Sequence, residues 1–169
     1  SDDRSIRIWN PATGATVNSR ANAHGTTGTY NLTCVRALPS GSIATASKFG
    51  DIRIWTPTLS SFSALGTHTG MVNVLELLSN GLLVSGGVDT FAVVWNTTSL
   101  TQKNKFKAVG GTSVTCIKEL NDGAVVFGGN SPTLFTYRLN YITDTQISIH
   151  NGTNFLATGE LPCQDMNLY

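Results

Sequence analysis

Short apolar-rich runs, each ending in an aromatic residue, recur along the chain. The first two, SIRIW and DIRIW, alternate polar residues with isoleucine and end at Trp9 and Trp55. The third, FAVVW, is almost continuously apolar and ends at Trp95. Alternation with a period of two is typical of half-buried strands, and a short continuous run is typical of fully buried ones. Weaker copies end at Tyr137 and Tyr169, so we predict five related strands.

The segments around these strands repeat as well. Residues 32–38 (LTCVRAL) and 114–120 (VTCIKEL) match almost position by position, and residues 72–77 (VNVLEL) are a middle copy. Each copy is followed by a turn containing glycine and by a second apolar strand, and a more polar segment follows each tryptophan. The first four aromatic ends lie roughly 40 to 46 residues apart, which is typical of a unit of four short strands.

We therefore predict an all-β chain of four-stranded antiparallel blades, with no amphipathic helix. About four repeats fill residues 1–169, in units that end near residues 9, 55, 95, 137 and 169. The fifth unit is short in the stretch 140–152, because only residues 144–150 are available where two strands are expected. Either one strand is missing there or the region is irregular. The chain begins and ends on a third strand, which favours an incomplete or open propeller taken from a larger one.

This pattern resembles the WD-repeat (Trp-Asp repeat) β-propeller family. The unit of that family has a histidine near its start, a hydroxyl residue in the second strand, an aspartate in the next turn and a tryptophan ending the third strand. The third unit contains all four, as His68, Ser85, Asp89 and Trp95. The resemblance implies one hydrogen-bonded network, in which Asp89 accepts from His68 and His68 reaches Ser85 and Trp95. A buried network must be satisfied, so a structural role is implied for Asp89.

The other units match the pattern only in part. The resemblance extends the structural network to a further set of residues, namely His24, Thr45, Trp55, Asp3 and Trp9. In the second unit Phe49 stands where the aspartate is expected, and the fourth unit has Ser131 and Tyr137 but no histidine.

Composition and motifs give no sign of catalysis. The net charge of +1 and the charged fraction of 12% provide no electrostatic surface for nucleic acid or an anionic membrane. We find no pattern of catalytic, metal-binding or cofactor-binding residues, and we expect no cofactor. Three cysteines without a C-x-x-C pair indicate free thiols in a reducing compartment, so we expect a cytoplasmic protein.

Surfaces remain as the candidate for function. In WD-repeat propellers partners usually dock on the face that carries the turns between second and third strands. These turns supply the possible partner-contact residues Asp2, Lys48, Phe49, Val88 and Asn130. An aromatic residue in a polar turn is either a plug over the blade edge or a contact anchor, and both interpretations stay open for Phe49.

We predict a non-catalytic protein-interaction scaffold that binds other proteins, not nucleic acid or membranes. Unpaired blade edges predict self-association. One alternative is an extracellular or carbohydrate-binding propeller, which would have oxidised cysteines and glycosylated Asn-x-Thr sites. The other is a catalytic propeller, which would need acidic, histidine or lysine residues converging on the central channel.

Overall fold

The computed structural model describes residues 3–25, 31–130 and 134–138. The described chain is all-β, which confirms the predicted fold class. Its strands are β1 (Ile6–Trp9), β2 (Thr16–Arg20), β3 (Leu32–Ala37), β4 (Ile43–Ser47), β5 (Asp51–Trp55), β6 (Phe62–Thr67), β7 (Val72–Leu77), β8 (Leu83–Gly87), β9 (Phe91–Asn96), β10 (Thr101–Lys107), β11 (Val114–Glu119), β12 (Ala124–Gly129) and β13 (Phe135–Arg138). In these ranges the single helical element is one 3-10 turn at Val109–Gly111, so no described helix is long and apolar enough to cross a membrane.

The strands form four antiparallel sheets in which sequence neighbours are also neighbours in space. Strands β3 to β6 form one four-stranded sheet and β7 to β10 form another, and we call them the second and third blades. Strands β1 and β2 pair as the first sheet, and β11 to β13 form the fourth sheet. In the described residues β1 pairs with β2 alone, so the first sheet is half a blade.

The three innermost strands share one irregularity, which shows that the repeat extends to backbone detail. Strands β3, β7 and β11 each shift register near their start, between Leu32 and Cys34, between Val72 and Val74, and between Val114 and Cys116. A bulge at a fixed place in each copy sharpens the local twist of the strand.

Packing between sheets explains why β9 is almost continuously apolar. Val93 and Trp95 belong to the core that the third blade forms with the second, whereas Ala92 and Val94 belong to the core that it forms with the fourth sheet. Both faces of β9 are therefore buried, as expected for an inner blade strand. The outer strands β6 and β10 expose most of their polar residues to solvent.

A charged row also joins three sheets. Arg36, Glu76 and Lys118 occupy the same repeat position on β3, β7 and β11. The carboxylate of Glu76 lies 3.2 Å from Arg36 Nη2 and 3.0 Å from Lys118 Nζ. Both cations are about half exposed, so each pair contributes about 0–1 kcal/mol. These ion pairs therefore connect neighbouring sheets but contribute little to the free energy of folding.

Candidate functional site

The third blade contains a continuous hydrogen-bonded chain from its surface turn to its core. His68, just before β7, lies with Nδ1 2.8 Å from Asp89 Oδ1 and Nε2 2.7 Å from Ser85 Oγ. The indole Nε1 of Trp95 donates to Ser85 Oγ at 2.7 Å, so His68 reaches Trp95 through the serine. Because a carboxylate only accepts, Nδ1 carries the hydrogen that is shared with Asp89.

Asp89 also joins the turn to the segment between two blades. One oxygen accepts from the backbone N–H of Thr69 at 3.1 Å, and the other accepts from the N–H of Phe91 at 3.3 Å. Burial raises the pKa of Asp89, but its hydrogen bond with His68, the charge of that ring and the backbone donors outweigh it. The pKa of Asp89 therefore lies below its ordinary value.

The second blade has the same chain of bonds, with its carboxylate at a different position. His24 Nε2 lies 2.7 Å from Thr45 Oγ1, and Trp55 Nε1 donates to that hydroxyl at 2.9 Å. His24 Nδ1 lies 2.6 Å from Asp51 Oδ2. Asp51 is the first residue of β5, two positions after Phe49, which occupies the turn position that Asp89 occupies in the third blade.

Asp51 is thus a network residue that the sequence comparison missed. Its carboxylate also accepts from Ser47 Oγ and, at 3.1 Å, from Arg53 Nε. Burial raises the pKa of Asp51, but the hydrogen bonds from His24 and Ser47 and the charges of His24 and Arg53 bring it below its ordinary value. The signal in the sequence was an aspartate followed two residues later by an arginine, where the third unit has Phe91 and Val93.

Arg53 extends this network into the segment that connects the first sheet to the second blade. Its Nη1 donates to the Ala23 carbonyl at 2.6 Å and its Nη2 to the His24 carbonyl at 3.3 Å. Its guanidinium also lies 4.2 Å from the centre of the Phe62 ring. One side chain therefore satisfies two backbone acceptors and stacks on an aromatic face, as a planar guanidinium can.

The remaining residues of the implied network lie in different surroundings. Asp3 accepts from Ser5 Oγ at 2.6 Å and pairs with Arg7 at 2.8 Å. Trp9 is 57% exposed, whereas Trp55 and Trp95 are 1% and 3% exposed. Among the described residues β1 pairs with β2 alone, and no strand that carries a hydroxyl residue, as β4 and β8 do, pairs with its other edge.

The turns between second and third strands form an exposed surface across two blades. Lys48 is exposed, Phe49 is 53% exposed and Val88 is 40% exposed. A Cβ placed on Gly70 would lie 2.6 Å from Val88 Cγ2 and a Cβ on Gly50 would lie 2.8 Å from the Gly70 carbonyl oxygen. Gly70 thus separates the turn of Phe49 from Val88, and we call Lys48, Phe49 and Val88 the turn patch.

Two other predicted contact residues do not belong to the turns of the second and third blades that the structure describes. Asn130 is exposed at the end of β12, in the fourth sheet. Asp2 lies outside the described residues, as do Ser131 and the whole fifth unit. The exposure of Phe49 favours the contact-anchor interpretation over a plug, because a plug would be largely buried.

Cys34 and Cys116 are half-buried thiols, neither of which is in a disulfide, and Cys163 lies outside the described residues. Burial raises the pKa of Cys34, and its Sγ lies 3.9 Å from the Val72 carbonyl oxygen. Residues 3–25, 31–130 and 134–138 contain no group of three or more histidine, cysteine or acidic residues placed to bind a metal.

Comparison with known proteins finds similarity at the level of structure. No protein-family model matches the chain, and no curated protein matches it. The computationally designed Ika8 protein matches with a TM-score of 0.68 and 19% identity over 83% of this chain. A chain of the mitotic checkpoint complex matches with a TM-score of 0.65 and 18% identity over 81%. The WD40 β-propeller domain of Doa1 matches with a TM-score of 0.65 and 18% identity over 76%.

The extent of these matches shows how much of a propeller the chain represents. It spans 42% of the length of each of the three matched chains. Two complete blades and two partial sheets agree with that fraction. The chain therefore has the fold of WD-repeat β-propeller blades and matches part of such a propeller.

Proposed function

We propose that this chain is a non-catalytic scaffold that binds other proteins, as part of a larger WD-repeat propeller. The observation that carries the proposal is the turn patch, where Phe49 and Val88 expose 53% and 40% of their surface. The WD-repeat fold commonly serves as a protein-interaction scaffold, but a fold alone does not establish a function, so the patch carries the argument. Exposed aromatic side chains are typical anchors of protein interfaces.

The buried networks support a structural role for their histidines. The side chains of His24 and His68 are 0% exposed, and both ring nitrogens of each are engaged. A general base must come within hydrogen-bond reach of a substrate, and these rings cannot.

A selection from a displayed library of random short peptides tests the scaffold proposal. We expect the purified chain to enrich specific sequences that bind it with micromolar affinity and retain binding as synthetic peptides. A heat-unfolded sample serves as the control and should enrich none of them. Failure to enrich any specific sequence would contradict the proposal.

A second proposal is self-association through the half blade. The indole of Trp9 is 57% exposed on β1, whose inner edge has no partner strand among the described residues. An open strand edge beside an exposed aromatic side chain is a template for pairing with another chain. Sedimentation velocity should show sedimentation coefficients that rise with concentration, and Trp9→Ser should reduce the rise. A single monomeric species with a cooperative melt would contradict this proposal.

We also propose a reducing, cytoplasmic location, supported by the thiols of Cys34 and Cys116, neither of which is in a disulfide. Thiol titration of the unfolded chain purified from its native source should find all three cysteines of the sequence reduced. Oxidised cysteines and glycosylated Asn-x-Thr sites would instead favour an extracellular or carbohydrate-binding propeller.

A further inference from the structure

The second and third units differ at three linked positions. Relative to the closing tryptophan, Phe49, Asp51 and Arg53 of the second unit replace Asp89, Phe91 and Val93 of the third. The network carboxylate of the second unit therefore stands two residues later than in the third unit, at the first residue of the strand and not in the turn. In the second unit Arg53 Nε also donates to this carboxylate, at 3.1 Å.

This relocation changes what the turn residue does. Asp89 must point inward, because its carboxylate binds His68, and its side chain is only 4% exposed. In the second blade Asp51 already accepts from His24, so the side chain at position 49 does not have to supply the carboxylate, and the backbone N–H of Phe49 donates to Ser47 Oγ at 3.2 Å. The side chain at this position is an aromatic ring that is 53% exposed.

From these differences we infer that the relocation frees the turn for a binding anchor, and that Phe49 binds a bulky apolar side chain of a partner segment. This inference rests on the proposed scaffold function and names the ligand of the turn patch. Val88 is the second exposed apolar residue of the turn patch, and a Cβ on Gly70 would lie only 2.6 Å from its Cγ2. A Cβ on Gly50, the residue after Phe49, would lie 2.8 Å from the Gly70 carbonyl oxygen, so both turns come close to this glycine.

Charge around this site selects the chemistry of the partner. Lys48 is exposed beside Phe49. The two carboxylates of these turns are turned into the networks, where Asp89 is 4% and Asp51 is 24% exposed and both bind histidine. The turn patch thus presents a cation with no competing exposed carboxylate in its two turns. The partner is therefore an acidic segment of another protein, with its apolar residue next to a glutamate or aspartate.

Peptide binding with matched variants tests this inference. The probes are fluorescein-labelled peptides that carry one central leucine or tryptophan flanked either by glutamates or by lysines, together with sequences enriched from the random library. We expect the glutamate peptide to bind more tightly than the lysine peptide, with an affinity that falls as salt concentration rises. Phe49→Ser should weaken binding at least about tenfold, as for an aromatic anchor, and Phe49→Tyr should retain it.

Two further variants distinguish binding at the turn patch from non-specific binding. Val35→Ser removes an apolar side chain that is 55% exposed on β3 and lies outside the turn patch, so it should leave affinity unchanged. Lys48→Glu should reverse the preference between the two charged peptides. Thermal melts of all variants should match the parent chain, because none of these residues lies in a core cluster.

The outcomes distinguish this inference from the scaffold proposal. If enriched peptides bind the chain equally well after Phe49→Ser, or if the lysine peptide binds the parent chain better, the turn patch is not an acidic-peptide site and the scaffold proposal still stands. If no sequence is enriched at all, both are overturned.

Discussion

Removing the charge of Asp51 is the sharpest test of the network in the second blade. The Asp51→Asn variant keeps the size of the side chain but replaces one acceptor oxygen with a donor amide. In the structure that carboxylate accepts from His24 Nδ1 at 2.6 Å, from Ser47 Oγ and from Arg53 Nε at 3.1 Å. His24 and Arg53 both donate to Oδ2, whereas Ser47 donates to Oδ1. An amide oxygen at the place of Oδ2 therefore keeps two of the three bonds without the charge, and the amide nitrogen faces the Ser47 hydroxyl.

The expected loss follows from these contacts. The bond to the histidine joins a charged acceptor to a side chain that is 0% exposed, and such bonds contribute about 1.5–3 kcal/mol. The bond to Arg53 is partly exposed and adds about 0–1 kcal/mol. We therefore expect Asp51→Asn to lower the free energy of unfolding by about 1.5–4 kcal/mol, a large share of the roughly 5–15 kcal/mol that holds a domain together.

Urea denaturation followed by tryptophan fluorescence measures this loss, since Trp55 reports on the same network. Asp3→Asn is the matched control, because Asp3 holds the turn position of the first unit but is 45% exposed in its pair with Arg7. It should cost about 0–1 kcal/mol. Adding Phe49→Asp to Asp51→Asn should recover part of the loss, because position 49 corresponds to Asp89. A loss for Asp51→Asn no greater than that for Asp3→Asn would refute the network.

Three further predictions concern pH, backbone strain and thiol reactivity. Because both network carboxylates have pKa values below the ordinary one, their contribution is present above about pH 4 and is lost as pH falls through the folded-state pKa values; urea midpoints from pH 6 to pH 3 should fall less in the Asp-to-Asn variants. Thr90→Gly should raise the melting midpoint, by an amount that corresponds to roughly 0.5–1 kcal/mol of unfolding free energy, because threonine at φ 71° is strained. Gly50→Ala should lower the melting midpoint, because a Cβ there would collide with the His68 carbonyl oxygen. Cys34 should react with iodoacetamide at pH 8 more slowly than free cysteine, because burial raises its pKa; an equal rate would contradict the half-buried position.

Much of the fold could be predicted from the sequence, because each blade repeats the same alternation and the same closing aromatic residue. The network of the third blade could be predicted too, since its four residues stand at the spacing of the WD-repeat unit. Asp51 could not, because alignment compares residues at one position, whereas a carboxylate reaches the same histidine from two places along the chain.

The two blades also show what the carboxylate does for the turn. The backbone hydrogen bonds of the two turns correspond one for one, although their carboxylates differ. Before the turn, Lys48 N–H donates to Asn31 O, as Val88 N–H donates to Met71 O, each at 2.9 Å. Across and after the turn, the bonds from Gly50 to Ser47 (3.2 Å) and from His68 to Gly50 (3.0 Å) correspond to those from Thr90 to Gly87 (3.3 Å) and from Ala108 to Thr90 (2.8 Å). The residue after the turn position has positive φ in both, 95° at Gly50 and 71° at Thr90. The same backbone bonds therefore hold both turns, whereas the supporting side chain differs. Asp89 accepts from the N–H groups of Thr69 and Phe91 in the third blade, and Ser47 Oγ accepts from the N–H of Phe49 at 3.2 Å in the second. This difference is why an aromatic ring can replace the turn aspartate without a change of fold.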